Sequence, residues 1–405
     1  MSKYLVPFSK LLSIAFLAVS LNTMAQTPAP TPTLGQASAA QAVKPLAVPD
    51  APLLAASGYI LIDGETGEVL AQNNADERLP PASLTKMMSS YLVIEELVNG
   101  RINESSLVNI SVKAWRMEGS RMYVKEGTQV PVIDLLRGEI VQSGNDATVA
   151  LAEYIGGTED AFVDLMNKRA KELGMNNTHY QNAAGLPAEG HFTTARDLAT
   201  LARAVIYKHP QHYPLYAEKE FKYNNIRQPN RNRLLFLDPT VDGLKTGHTE
   251  EAGYCLVASS KRENTRLIAV VLGTKSDNAR AAETQKLLAY GFRYFETVDL
   301  YKANTEVTKS RVWSGKAPEV SLGLSKDVRM SLPRGRISDI KANVHVNETI
   351  TAPITAGQEL GKLTIELDGK VINTQPLVAM QPVEEASFFV RMWDKIKLFF
   401  RGLFS

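Results

Sequence analysis

Residues 81–86 read Pro-Ala-Ser-Leu-Thr-Lys, and a run of helix formers follows as far as Val98. A serine at the mouth of a helix with a lysine three residues later has two readings. One is a helix N-cap beside a solvated lysine. The other is a nucleophile and its base. At that spacing Lys86 lies on the face of Ser83, one turn on. A serine hydroxyl attacks only when a base takes its proton, and the N–H groups at a helix start face developing negative charge. S-x-x-K alone arises by chance in a chain of this length, so the rest of the sequence has to decide.

Two further triplets point the same way. Ser143-Gly144-Asn145 lies between the helical stretches Leu135 to Val141 and Asp146 to Tyr154. Lys245-Thr246-Gly247, followed by His248, ends a stretch of strand character that begins at Val241. A lysine and a threonine there can bind a carboxylate, and the glycine lets a substrate backbone approach the strand edge. A helix start, an interhelix junction and a strand, in this order, form one signature: S-x-x-K, S-x-N and K-T-G are the triplets of penicillin-binding proteins and class A β-lactamases.

The chain around these triplets has 405 residues, a net charge of +2 and one cysteine, Cys255. The length implies two domains with extras. The balanced charge gives no reason to expect nucleic acid as a partner. Cys255 sits in the apolar run Tyr254 to Ala258, which predicts a buried, inert thiol. No metal-ligand spacing or internal repeat occurs, and no cofactor is expected. Lys3 and Lys10 flank the apolar stretch Leu11 to Leu21, and Asn22-Thr23-Met24-Ala25 closes it; residues 1–25 read as a secretory signal peptide. The apolar run is too short for a membrane span. Residues 26–52, rich in Pro, Ala, Thr and Gln, read as a flexible leader.

From residue 53 to 300 the pattern is α+β. Gly58 to Ile62 and Glu68 to Gln72 read as a hairpin. A helix opens at Ser83 and stops at Gly100. Residues 132–206 are mostly helical, with Gly174 ending one helix and Thr194 to Asp197 capping the next. Strand character returns at Val241 to Thr246, Gly253 to Ser259 and Arg266 to Leu272, and Ala279 to Phe295 closes the region as an amphipathic helix. Strands at both ends with helices between predict an antiparallel sheet built from distant segments. Residues 301–383 carry short alternating stretches separated by turns, a small all-β domain. In residues 384–405, Phe389, Trp393, Ile396, Phe400 and Leu403 follow helical spacing opposite Arg391, Asp394, Lys397 and Arg401. That predicts an amphipathic helix lying in a membrane interface, and the competing reading is a helix docked on the β domain.

At this level of detail the chain resembles a known family, the periplasmic serine D-Ala-D-Ala carboxypeptidases, low-molecular-mass penicillin-binding proteins of class C, type five. The resemblance runs from about Gly58 to the C-terminus. It rests on PASLTKMM (81–88), QSGNDA (142–147), DPTVDGLKTGHTEEAGY (238–254), GFRYFET (291–297) and PRGR (333–336), with the β domain and terminal helix. It implies a penicillin-binding/β-lactamase-like antiparallel sheet with helices. It also implies a periplasmic enzyme on the outer face of the inner membrane that removes the terminal D-alanine from peptidoglycan stem peptides and is acylated by β-lactams. Under the resemblance Ser83 attacks the D-Ala-D-Ala carbonyl, Lys86 is the general base, and Ser143 relays a proton to the leaving D-alanine. Asn145 bonds the peptide amide, and Lys245 and Thr246 bind the terminal carboxylate. The N–H groups of Ser83 and His248 form the oxyanion hole, and Gly247 lets the substrate backbone approach the strand edge. A lysine base titrating ~3 units below its usual ~10.4 costs about 4 kcal/mol, and burial plus a second cation, Lys245, would supply it. The family pattern departs at Pro187, where close relatives carry an acidic residue, which bears on deacylation.

Three alternatives share parts of this pattern. A class A β-lactamase uses a loop glutamate in E-x-x-L-N, and Glu172 to Asn176 is a near match, although Glu172 falls at a predicted helix end. A D,D-endopeptidase would cut cross-links with the same triplets. A wall-binding scaffold would keep the pocket without the chemistry, and Ser83→Ala separates it from an enzyme.

Overall fold

The structure, a computed structural model, describes residues 47–403. The expected signal peptide, 1–25, and leader residues 26–46 lie outside them. The last leader residues run along the catalytic region: the carbonyls of Pro49 and Pro52 accept from the Tyr290 and Tyr59 hydroxyls.

The five-stranded sheet joins chain ends, as expected. Its order is Val69–Asn73, Gly58–Asp63, Thr265–Thr274, Gly253–Arg262, Val241–Thr249. Tyr59 pairs with Val271 and Leu61 with Ala269, so the N-terminal hairpin is completed by strands that lie 200 residues later in the sequence. Successive residues of a strand point to opposite faces, and both faces are buried. Ile60 and Ile62 face one core with Val257, Ile268 and Val270. Tyr59 and Leu61 face the other with Leu256, Leu267 and Val271, under the helix Asp277–Tyr294.

The first core holds the central helix, Lys86–Val98. It is apolar on nearly every side, Met87, Met88, Tyr91, Val93 and Ile94 all being buried, which is what a helix inside a core requires. Around it pack Val132–Val141, Asn145–Gly156, Glu159–Glu172 and Ala195–Lys208. Their ends follow the sequence signals. Thr158 and Thr194 cap their helices through Ala161 N and Asp197 N, and Gly100 and Gly174 take positive φ just past helix ends.

The β region has its own core of Leu322, Leu363, Ile365, Leu377 and neighbours. Six strands form one sheet, ordered Lys341–Val346, Glu359–Leu367, Lys370–Ala379, Glu319–Gly323, Glu306–Trp313, Ile350–Thr351. The strand that crosses residue 300, Phe295–Tyr301, pairs with Val328–Pro333 and places Leu300 and Tyr301 in this second core. The last helix, Phe388–Leu403, rests on the β region by its polar side: Asp394 Oδ2 accepts from Ser314 N over 2.9 Å. Its aromatic side faces outward, with Phe389 76 % and Trp393 58 % exposed.

Candidate active site

Ala82–Thr85 forms a 3₁₀ turn that runs directly into the central helix. Three residues per turn eclipse positions i and i+3. Lys86 therefore stands over Ser83, with Nζ 3.2 Å from Oγ. Ser83 is not an N-cap: it lies inside the turn, and no side-chain cap bond is made there. The turn is strained at Ala82, a non-glycine residue at φ 47°. Its neighbours hold it in place. A Cβ on Gly185 would come 1.9 Å from Ala82 O, and one on Gly247 would come 3.0 Å from Pro81 O. A side chain at Gly247 would thus press on the turn that carries Ser83, while Gly247 itself borders the cavity, where a substrate backbone was expected to approach. Thr85 Oγ1 is 2.9 Å from His191 Nε2.

Lys86 is 1 % exposed. Its ammonium donates to Ser83 Oγ, to Asn145 Oδ1 at 2.8 Å and to Ala184 O at 2.5 Å, which uses all three of its protons. Burial lowers its pKa to about 7, against the pull of Glu139 and Asp146 and with the help of Arg231. Arg231, from a loop that carries no motif, is thus a further cation acting on Lys86. Lys86 and Lys245 also repel each other: burial first, and then Lys86, hold Lys245 well below the usual lysine range.

The second serine repeats the arrangement of the first. Ser143 adopts φ 63° between the helices Val132–Val141 and Asn145–Gly156. Lys245, from the edge strand Val241–Thr249, donates to Ser143 Oγ over 2.8 Å and to Thr246 O over 3.0 Å. Asn145 bridges: besides accepting from Lys86, it donates through Nδ2 to Glu118 O over 2.6 Å. Asp146, also unforeseen in the sequence, accepts from the N–H groups of Met122, Tyr123 and Val124, which pins the loop before residue 125 against the junction.

These groups open onto a cavity of about 360 Å³. Ser83, Ser143, Thr246, Gly247 and His248 line it, and Lys86, Asn145 and Lys245 stand behind the two serines. His248 packs on Tyr254 with ring centroids 3.9 Å apart. Arg231 and Arg280 give the cavity a cationic wall, with Arg280 held by Asp277 and by Gly247 O. Sequence reasoning missed both arginines, which lie outside the three triplets. Glu172 ends its helix in ion pairs with Lys168 and Arg169 and does not line the cavity. Pro187 is exposed in the loop that leaves Ala184. Cys255 is buried, its thiol raised to about 11 by burial, as expected of an inert core residue.

A serine hydroxyl backed by a buried lysine of lowered pKa, on the edge of an antiparallel sheet, defines a serine hydrolase of the penicillin-recognising class. The chain belongs to the D-alanyl-D-alanine carboxypeptidase family, peptidase S11, whose profile matches residues 46–276. Residues 295–385 match the C-terminal domain of penicillin-binding protein 5. The chain is 46 % identical over 366 residues to the D-alanyl-D-alanine carboxypeptidase DacA of Escherichia coli K12, covering 88 % of this chain and 91 % of that one. Penicillin-binding protein 5 of Haemophilus influenzae superposes with a TM-score of 0.79 at 42 % identity, over 82 % of this chain and 99 % of that structure. Penicillin-binding protein D2 of Listeria monocytogenes, solved in its ampicillin-bound form, superposes with a TM-score of 0.55 at 31 % identity, over 60 % of this chain and 98 % of that structure. The protein is accordingly a serine-type D-Ala-D-Ala carboxypeptidase of α+β fold, with a C-terminal β domain and a final helix.

Proposed function

We propose that Ser83 is the nucleophile, Lys86 its general base and Ser143 the proton relay of this carboxypeptidase. The observation that carries the reading is the 3.2 Å contact between Lys86 Nζ and Ser83 Oγ. With Lys86 as a free amine, the Ser83 hydroxyl donates its proton to Nζ while Oγ attacks the carbonyl carbon of the D-Ala-D-Ala bond. The tetrahedral oxyanion faces the N–H groups of Ser83 and His248. Collapse breaks the C–N bond. Ser143 gives its proton to the departing D-alanine nitrogen and regains one from Lys245, which lies 2.8 Å away. Lys86 returns its proton by way of Ser143 to Lys245, and is again a free amine. Water then attacks the Ser83 ester. Lys86 takes the water's proton and hands it to Ser83 Oγ as the acyl bond breaks, and the shortened stem peptide is released.

Asn145 Oδ1 keeps a lone pair for the peptide amide beside its bond to Lys86. Thr246, with Lys245 and the arginines of the cavity wall, suits the terminal carboxylate of the substrate. The same features suit the carboxylate of a β-lactam, the ligand class of the Listeria relative. On this reading 53–300 is the catalytic unit and 301–383 the β domain beneath it.

The natural location is the periplasm, on the outer face of the inner membrane, after export by the N-terminal signal. Residues 384–405 would supply the contact: Phe389, Trp393 and Phe399 project outward. Among the described residues no helix is long and apolar enough to cross a membrane.

The test is D-alanine release by the purified chain from a peptide ending in Lys-D-Ala-D-Ala, with Ser83→Ala alongside. Release that is lost in the variant is expected. A penicillin adduct on Ser83 without release would move the activity to cross-link cleavage or a receptor role. The absence of both release and adduct would refute the assignment of Ser83.

A further inference from the structure

The last helix, Phe388–Leu403, has three sides with different surroundings. Asp394 seats one side on the β domain through Ser314 N. Phe389, Trp393, Ile396 and Phe400 make the outward aromatic side. Between these two lie Phe388, Arg391, Met392 and Lys395, spaced i, i+3, i+4 and i+7 and so on one face. That face overhangs a pocket of about 400 Å³, whose far wall is Ser314, Thr351 and Ala352 of the β domain.

Polar groups in this pocket are left without partners. Ser314 is only 4 % exposed. Its backbone is fully used: the N–H donates to Asp394 Oδ2 and the C=O accepts from Ala386 N. Among the described residues its hydroxyl bonds to nothing, and the Thr351 hydroxyl and Lys395 ammonium are in the same condition. Arg391 is paired with Glu385, so two cations and one carboxylate line the pocket and leave one net positive charge. An ammonium, a guanidinium and two hydroxyls form a donor set suited to phosphate oxygens. A buried hydroxyl with no partner carries a cost that such an oxygen would remove. Phe388 and Met392 bring apolar surface to the same pocket, continuous with the aromatic side of the helix.

We propose that this pocket binds the headgroup of one anionic phospholipid. Its phosphate lies among Lys395, Arg391 and the Ser314 and Thr351 hydroxyls, its glycerol rests on Phe388 and Met392, and its chains leave along the aromatic side. A free phosphate would use only the polar half of the pocket, whereas a lipid uses both halves. The single net positive charge favours an anionic headgroup over one that carries its own amine. The bound lipid bridges helix and β domain, so the helix enters the interface without leaving its seat. The inference rests on the reading of residues 384–405 as a membrane contact.

Sedimentation of the full chain with vesicles of phosphatidylcholine, alone or mixed with phosphatidylglycerol, tests it. The wild type should prefer the mixed vesicles. One charge near an anionic surface is worth about fivefold in binding. Lys397→Gln removes a charge from the same helix outside the pocket, and should weaken binding to mixed vesicles by no more than that. Lys395→Gln should weaken it by about 30-fold, through a lost charge and a lost phosphate bond. Ser314→Ala alters no charge, and should still weaken it by about fivefold while binding to phosphatidylcholine vesicles stays unchanged. D-Alanine release should be unaltered in all three variants, which reports that they are folded. Inorganic phosphate at constant ionic strength should not displace the wild type; displacement would make the site one for the free ion and overturn the lipid. Equal losses in Lys395→Gln and Lys397→Gln, with Ser314→Ala at the wild-type level, would leave a charged amphipathic surface and no site. A wild type that binds neither kind of vesicle would refute the membrane reading itself. One that binds both equally would keep that reading and sink this inference alone.

Discussion

Lys245 Nζ lies 2.8 Å from Ser143 Oγ across 102 residues of sequence, and Lys86 Nζ lies 3.2 Å from Ser83 Oγ across three. One lysine–serine pair is made within a turn, the other only when an edge strand meets a helix junction. The second pair can be broken without unfolding the first.

Lys245→Ala should therefore leave the Ser83 turn intact and still slow acylation by about 10²–10⁴-fold, the range for a lost proton-transfer partner. Stopped-flow acylation with a penicillin and release of D-alanine would both report it. Rates within threefold of wild type would show that Ser143 needs no cation.

Gly185→Ala should be among the most harmful of small substitutions. Gly185 has φ 83°, and the added methyl would meet Ala82 O at 1.9 Å, so strain and overlap act together. A loss of about 3 kcal/mol is expected in denaturant unfolding. Acylation should fall as well, because Ala184 O would be displaced from Lys86. A stable, fully active variant would mean that the 184–191 loop can move away freely.

His191 should confer acid sensitivity. Burial, with a smaller push from His179, lowers its pKa to about 4 from an ordinary 6.5. Between those values the unfolded chain binds the proton and the folded chain does not. Stability is therefore lost as pH falls from about 6.5 to 4, by about 3 kcal/mol from this group. His191→Gln should flatten that part of the curve of melting temperature against pH. An unchanged slope would assign the acid sensitivity to carboxylates.

Removal of residues 384–405 should release the protein from membranes while D-alanine release in solution stays within about twofold, since the helix touches the β region and not the cavity. Fractionation decides it; a truncated chain still found with membranes would sink the anchor.

The parts of the site legible in the sequence were those fixed by short spacing. Ser83 and Lys86 share a turn, Ser143 and Asn145 flank a helix break, and Lys245 to His248 follow one another on a strand. The fold class was readable because strand patterns stood at both ends of a helical stretch. Arg231, Arg280 and Glu139 were not, because each reaches the site only through packing. Glu139 sits in an amphipathic helix pattern as one more polar residue, and nothing in its neighbours marks it as buried. Gly247 was read as room for substrate, and it does border the cavity, but the sequence cannot say that residues 81–84 pack against it as well. The aromatic face of the last helix was legible from its spacing, but its seat on Ser314 through Asp394 was not.

The pairing of Gly58–Asp63 with Thr265–Thr274 also governs when activity begins. The first strand finds Val69–Asn73 at once in a hairpin, but its other edge stays open until Thr265–Thr274 is made, and the turn bearing Ser83 packs on the late strand Val241–Thr249. A nascent or truncated chain ending before residue 265 contains every one of the three triplets yet lacks the middle of the sheet that aligns them. A fragment left by interrupted synthesis or by proteolysis before residue 265 is therefore expected to carry the whole signature without its reactivity.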